Sequence, residues 1–148
     1  VQERGEDEGE AMTIKIKNYT TKVPASKTAS EIQELLARHG ARMITTEYDG
    51  DGSPVGICFE MTGKEFRLPV RVRAVEKLLD EQGVCASPKK AEMVAWRNVK
   101  DWIAAQIAMV EIGQVRLGEV MLPYMVDVYG HTLYEAMPHL LLEGFDNE

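Results

Sequence analysis

From Lys89 to about Leu122 the chain has no proline, and alanine and long side chains dominate it, so this stretch reads as one continuous helix. Such a helix would run about 50 Å, more than a single domain of 148 residues is wide. It must therefore kink, with Gly113 and Gly118 as the candidate points, or project onto something else. A helical wheel places Trp96, Val99, Ile103, Ile107, Val110 and Leu117 on one face, flanked by Trp102 and Met109. Ala104, Ala108, Ile112 and Val115 form a second apolar stripe. A helix apolar on two faces is expected to be buried on two faces. Two covers compete for the second stripe: the segment Leu133 to Leu142 folding back, or a helix from a second copy, which small residues would let approach closely. The second is the weakly favoured reading, a homodimer.

Upstream, the pattern changes period. Thr13 to Tyr19 alternates, with Ile14 and Ile16 on one face and Lys15, Lys17 and Tyr19 on the other, which predicts a strand. Thr28-Ala29-Ser30-Glu31 has the form of a capping box, followed by Ile32, Leu35 and Leu36 and closed by Gly40. Arg42 to Tyr48 reads as a strand, and Asp49-Gly50-Asp51-Gly52-Ser53-Pro54 as a turn. Val55, Ile57, Phe59 and Met61 alternate, Thr62-Gly63-Lys64 is a tight connection, and Phe66, Leu68 and Val70 alternate again. Pro69 cannot donate to a ladder, so that last strand is an edge or ends there. Arg73 to Gln82 is a short helix closed by Gly83, and Val84 to Pro88 a loop. The expected fold is α+β: a β-α-β-β-β antiparallel sheet with one helix packed on it, then a helical C-terminal half with one long helix. The expected organisation is an acidic disordered tail over 1–11, a sheet region over 12–83, a helical region over 84–143 packed on it or mediating dimerisation, and a disordered tail over 144–148.

Charge divides along the same lines. The net charge of −7 sits in the ends, since from Thr13 to Leu142 cations and acids are equal in number. Bulk acidity thus says little about what the folded surface binds. Val1 to Ala11 holds five acids and two glycines and buries nothing, so it is expected to be unfolded. It is either an acidic tail or a stretch upstream of the true start. Glu8-Gly9-Glu10 fits purine-rich codons resembling a bacterial ribosome-binding site, which makes Met12 the expected start. No apolar run approaches the ~20 residues of a membrane span and no basic-then-apolar leader is evident, so no membrane partner is expected. With only Cys58 and Cys85 there is no disulfide framework, and a reducing cytoplasm is the expected compartment.

Motifs for catalysis are absent. There is no GxSxG, Walker or GxGxxG pattern. Asp49, Asp51, Ser53 and Glu60 fall on the first, third, fifth and twelfth places of a calcium loop, but Pro54 stands where glycine is needed and the flanks read as strands. A hairpin turn explains these residues fully. His39 suits a helix C-terminus, and His131, His139 and the two cysteines lack zinc spacing. Asp49, Asp51 and Glu60 also lack the lysine of an acid-acid-lysine nuclease pattern. No catalytic residue, metal or cofactor is therefore nominated, and an enzyme is not expected.

The surviving surface signal is basic and aromatic. Lys15, Lys17 and Tyr19 share one parity on the first strand, and Arg67, Arg71 and Arg73 share one parity around the last. If these strands share a sheet, its outer face offers cations to phosphates and a ring to an unstacked base. Lys89 and Arg97 add charge at the start of the long helix. The competing explanation is an ordinary solvated face, diluted by Glu47 and Glu60. Ser87-Pro88-Lys89-Lys90-Ala91 after the strands suggests a double-stranded-RNA-binding domain only superficially, because the Arg73 to Gln82 helix breaks the register.

Four stretches carry a resemblance: Ile16-Lys17-Asn18-Tyr19-Thr20-Thr21-Lys22-Val23, Phe66-Arg67-Leu68-Pro69, Ala95-Trp96-Arg97-Asn98-Val99-Lys100-Asp101-Trp102 and Leu122-Pro123-Tyr124. In these the chain resembles a family of small proteins from bacteriophages, prophages and other bacterial mobile elements, from Met12 to about Met137. The resemblance implies an intracellular protein in a mobile-element setting, where neighbouring genes often serve DNA replication and recombination. It carries over no activity, cofactor or catalytic residue. The expected function is a non-catalytic accessory of DNA metabolism that binds DNA or RNA through Lys15, Lys17, Tyr19, Arg67, Arg71, Arg73, Lys89 and Arg97. The alternative is a protein-protein interaction module, an adaptor or an inhibitor of host machinery, acting through Ala104, Ala108, Ile112 and Val115.

Overall fold

A computed structural model describes residues 14–84 and 87–137. Thr13, Cys85, His139 and both terminal tails of the sequence reading lie outside the described residues. Helix α1 (Ala25–Arg38) leads into strands β1 (Arg42–Tyr48), β2 (Pro54–Met61) and β3 (Lys64–Pro69). Helices α2 (Val72–Glu81) and α3 (Pro88–Glu111) follow, then α4 (Leu117–Met121), a 3-10 turn over Leu122–Tyr124, and α5 (Leu133–Ala136).

The sheet is an antiparallel meander in the order β1-β2-β3. Its two connections are built differently. Thr62 and Gly63 both have positive φ, at 53° and 75°, as a two-residue loop between paired Met61 and Lys64 requires. In the β1–β2 connection an Asp49 carboxylate oxygen accepts the backbone N–H of Asp51 at 2.9 Å and of Ser53 at 3.0 Å. Ile57, Phe59, Met61, Phe66 and Leu68 turn inward to meet Ile32 and Leu36 of α1 and Trp96 and Ile103 of α3. Phe59 and Phe66 are register partners and their rings stack at 5.5 Å. The Trp96 indole is fully buried, and its N–H finds the Pro54 carbonyl at 3.0 Å. α3 packs on both α1 and α2, with a smaller cluster of Leu79, Ala91 and Val94 between α2 and α3.

The three longest helices end in the same way. Gly40, Gly83 and Gly113 each adopt positive φ, and the N–H of the following residue returns to a carbonyl five positions back: Ala41 to Leu36, Val84 to Leu79, Gln114 to Met109. This is the Schellman arrangement, which a side chain at the glycine would strain. It resolves the length problem of the long helix. α3 stops at Glu111 and the chain turns back through Gly113 into α4, so the expected single helix to Leu122 is two helices.

Two sequence expectations are corrected. Ile14–Tyr19 runs into turns instead of forming a first strand, so among the described residues the sheet has three strands and no β-α-β-β-β order. Asn18 sits at φ 68°, and Tyr19 N–H and Thr21 N–H close tight turns on the Ile16 and Asn18 carbonyls. α1 starts at Ala25 after Pro24, three residues before the expected cap. Thr28 is therefore inside the helix, fully buried, and its hydroxyl accepts from Arg97 at 3.3 Å.

Candidate functional site

The cations nominated from sequence do not converge. Lys15 donates to the Gln82 carbonyl, which docks the N-terminal segment on the end of α2. Lys17 pairs with Asp101 of α3 at 3.0 Å, while Asn18 donates to Asp101 at 2.9 Å and Asn98 donates to the Lys17 carbonyl at 2.8 Å. The Asn18 amide, with Lys17 behind it, holds the Asp101 carboxyl below the usual range. Arg97 and Lys100 both grip Glu31 of α1, at 2.6 and 2.8 Å, and depress its pKa, Lys100 more than Arg97. The stretches Ile16–Val23 and Ala95–Trp102 thus meet each other, and their polar residues staple the N-terminal segment and α1 to α3. That is a structural task.

Arg67 does lie on the outer sheet face. By register its neighbours there are Glu47, Cys58, Glu60 and Glu65, so the face carries more acid than base, and Lys15, Lys17 and Tyr19 are not on it. Arg67 Nε is 3.2 Å from Glu47. The pair is electrostatic rather than a directed bond, since that buried Nε has no hydrogen-bond partner. The Cys58 thiol donates to the same Glu47 at 2.9 Å, and burial, then this carboxylate, pushes its pKa up to about 11. A thiol held protonated at neutral pH is a poor nucleophile. β3 ends at Pro69, so Arg71 and Arg73 leave the sheet: Arg71 precedes α2 and Arg73 is in its first turn. Lys89 is exposed at the start of α3. Arg67 and Arg71 share one cavity of about 680 Å³ with Tyr124, Thr132, Tyr134 and Glu135.

The second stripe of the long helix remains largely uncovered by the described residues. Ala108 is exposed and Ile112 is 72% exposed, while Ala104 and Val115 are half-buried. Leu133–Ala136 packs on the 3-10 turn, and Pro138 to Leu142 lie outside the described residues. Met109 beside the stripe is 40% exposed.

Two features escape the sequence reading. One is an apolar cavity of about 210 Å³ formed where α1, β2, β3, α3 and α4 meet, with Leu36, Phe59, Leu68, Ile103, Ile107 and Val120 in its wall. His39 and Glu111 stand at its mouth, hydrogen-bonded to each other, with His39 Nδ1 2.8 Å from the Leu35 carbonyl. The Leu35 carbonyl and then Glu111 raise the His39 pKa. The other feature is a turn at Asp127–His131 that presents Val128 and Tyr129 at 93% and 82% exposure. Its signal is an Asp with a Gly three residues on, a spacing it shares with Asp49 and Gly52. Among the described residues no three His, Cys, Asp or Glu side chains are placed to share a metal ion, and no helix is long and apolar enough to cross a membrane. No protein-family model, curated protein or solved structure matches this chain.

Proposed function

We propose that the protein is a non-catalytic interaction module that pairs with a helix of a second copy of itself through the outer stripe of α3. The observation carrying this is that Ala108 and Met109 of α3 and Ile112 at its C-cap stay in water, while the opposite face of the helix packs Ala95, Trp96 and Ile103 into the core. Ala104 and Ala108 of α3 and Ile112 at its C-cap repeat every fourth position, the spacing that seats one helix against another. The role we propose for this module, in keeping with the resemblance to mobile-element proteins, is that of an adaptor or an inhibitor of host machinery in a bacterial cytoplasm. Ala108→Glu buries an unpaired charge in such a contact. Sedimentation velocity is expected to show a two-chain species for the wild type and a monomer for the variant. A wild type that stays monomeric sinks the reading.

One observation favours nucleic-acid contact as a second reading: Arg67 and Arg71 line one cavity with Tyr124 and Tyr134, a mixture suited to phosphate and a stacked base. This site replaces the basic sheet face. Fluorescence anisotropy with single- and double-stranded DNA and RNA tests it. Arg67→Ala with Arg71→Ala is expected to weaken binding and flatten its salt dependence, and unchanged affinity removes it.

A further inference from the structure

The turn at Asp127–His131 has nothing in its own architecture that calls for large apolar side chains. Asp127 N–H meets the His131 carbonyl at 2.8 Å, Gly130 N–H returns to the Asp127 carbonyl at 3.1 Å, and an Asp127 carboxylate oxygen accepts from Tyr129 N–H at 2.9 Å and His131 N–H at 3.0 Å. Gly130 supplies the positive φ. Only Asp127 and Gly130 are needed to build it, and the two positions between them are compatible with most residues. Yet they hold valine and tyrosine, the former almost wholly in water. The same chain contains an apolar cavity of about 210 Å³, below the ~300–1,000 Å³ of drug-sized ligand sites and suited to a single side chain.

We propose that the Val128–Tyr129 tip is a docking element whose tyrosine enters the apolar cavity of a second copy of this chain. The exposure of the tip means that it does not fill the cavity of its own molecule. The wall offers Ile103, Ile107 and Val120 to the ring, and Glu111 at the mouth can accept the phenol O–H. The residues that frame the tip, Asp127 and His131, bring no fixed positive charge, so nucleic acid and anionic membranes are poor occupants. Between Thr13 and Leu142 cations equal acids in number, so the bodies that meet are neutral and the −7 of the full chain lies in its ends. A tyrosine on a short rigid turn gives up little conformational entropy on docking. This surface is separate from the α3 stripe, and the contact goes beyond the pairing proposed there.

The test uses the full chain. Replacing Val128→Gly and Tyr129→Asp gives the tip the residues of the Asp49–Ser53 turn, which shows that this bonding pattern tolerates them. Sedimentation velocity between about 1 μM and 1 mM, the range of weak specific association, is run on wild type, this double variant, Ile107→Trp and Ala108→Glu. Loss of the tip is expected to weaken association about thirtyfold, as removal of a central aromatic anchor does, and the filled cavity is expected to do the same. Trp102 lines the cavity, so its emission is expected to shift with concentration in wild type and to stay constant in the double variant, whatever the folding of Ile107→Trp. Sensitivity to Ala108→Glu with indifference to the tip keeps the helix pairing and overturns this contact. Sensitivity to the tip with indifference to Ala108→Glu does the reverse. A wild type that is monomeric throughout, with constant Trp102 emission, overturns both.

Discussion

The two aspartate turns are the same device put to different ends. Asp49–Ser53 and Asp127–His131 share four hydrogen bonds: Asp N–H to the fifth residue's carbonyl, at 2.9 and 2.8 Å, glycine N–H to the Asp carbonyl, at 3.1 Å in both, and two amides on the Asp carboxylate. Gly52 and Gly130 sit at φ 80° and 83°. The middle positions differ completely, Gly50-Asp51 in one and Val128-Tyr129 in the other. The first turn links β1 to the central strand and shows the solvent what solvent favours. The second hangs from the isolated bridge Val126↔Thr132 and shows it two side chains that water disfavours. Backbone requirements fix the ends of such a turn and leave its tip free, so the tip carries the information about partners.

If the two are one device, damage to the shared parts should cost the same in both. The largest effect is expected at the glycines. Gly52→Val and Gly130→Val each force a β-branched residue to positive φ, for a loss of about 2 kcal/mol in urea unfolding. Nothing lies near an added Cβ at either site, so the cost is conformational rather than steric crowding with neighbours. Unequal losses would show that one turn is held by its surroundings. Next come Asp49→Ala and Asp127→Ala, each freeing two amides to solvent, for about 1 kcal/mol. Asn at either position keeps an acceptor and should recover most of that stability.

A second repeated pattern explains how much of this could be read in advance. Thr-x-x-Glu occurs at Thr28–Glu31 and at Thr132–Glu135. Only the first was read as a cap, and only the second is one: Thr132 N–H and O–H reach Glu135 at 3.1 and 2.8 Å, and Glu135 N–H returns to the Thr132 hydroxyl. At Thr28 the tertiary contact with Arg97 and the start at Ala25 override the local signal. The meander, its turns, α2 and the helix-ending glycines were legible because their causes are local: alternation, turn chemistry, positive φ. The first strand was not, because Lys15 and Lys17 answer to Gln82 and Asp101, more than sixty residues away. The basic face failed with that strand. The apolar cavity was invisible for the same reason, being assembled from five elements, α1, β2, β3, α3 and α4.

The smallest effects separate the two regions by pH. Near the second turn, the Thr132 amide and hydroxyl hold Glu135 below its ordinary value. Its contribution is present above the unfolded pKa of about 4.3 and disappears as pH falls through the depressed folded value. At the end of β1 away from the first turn the sign reverses. His39, at the end of α1 just before β1, has its folded pKa raised by the Leu35 carbonyl and by Glu111. Its contribution is therefore complete below the unfolded pKa of about 6.5 and is lost as pH rises through the higher folded value. Both groups are partly in water, so each is worth less than about 1 kcal/mol and weakens with salt. Hydrogen exchange resolved by residue should show α5 opening more readily toward acid, and the junction of α1 with the end of α3 opening more readily toward neutral and alkaline pH. Glu111→Gln should reduce the second trend and leave the first unchanged. If both trends respond to that one substitution, α5 and the junction of α1 with α3 open as a unit.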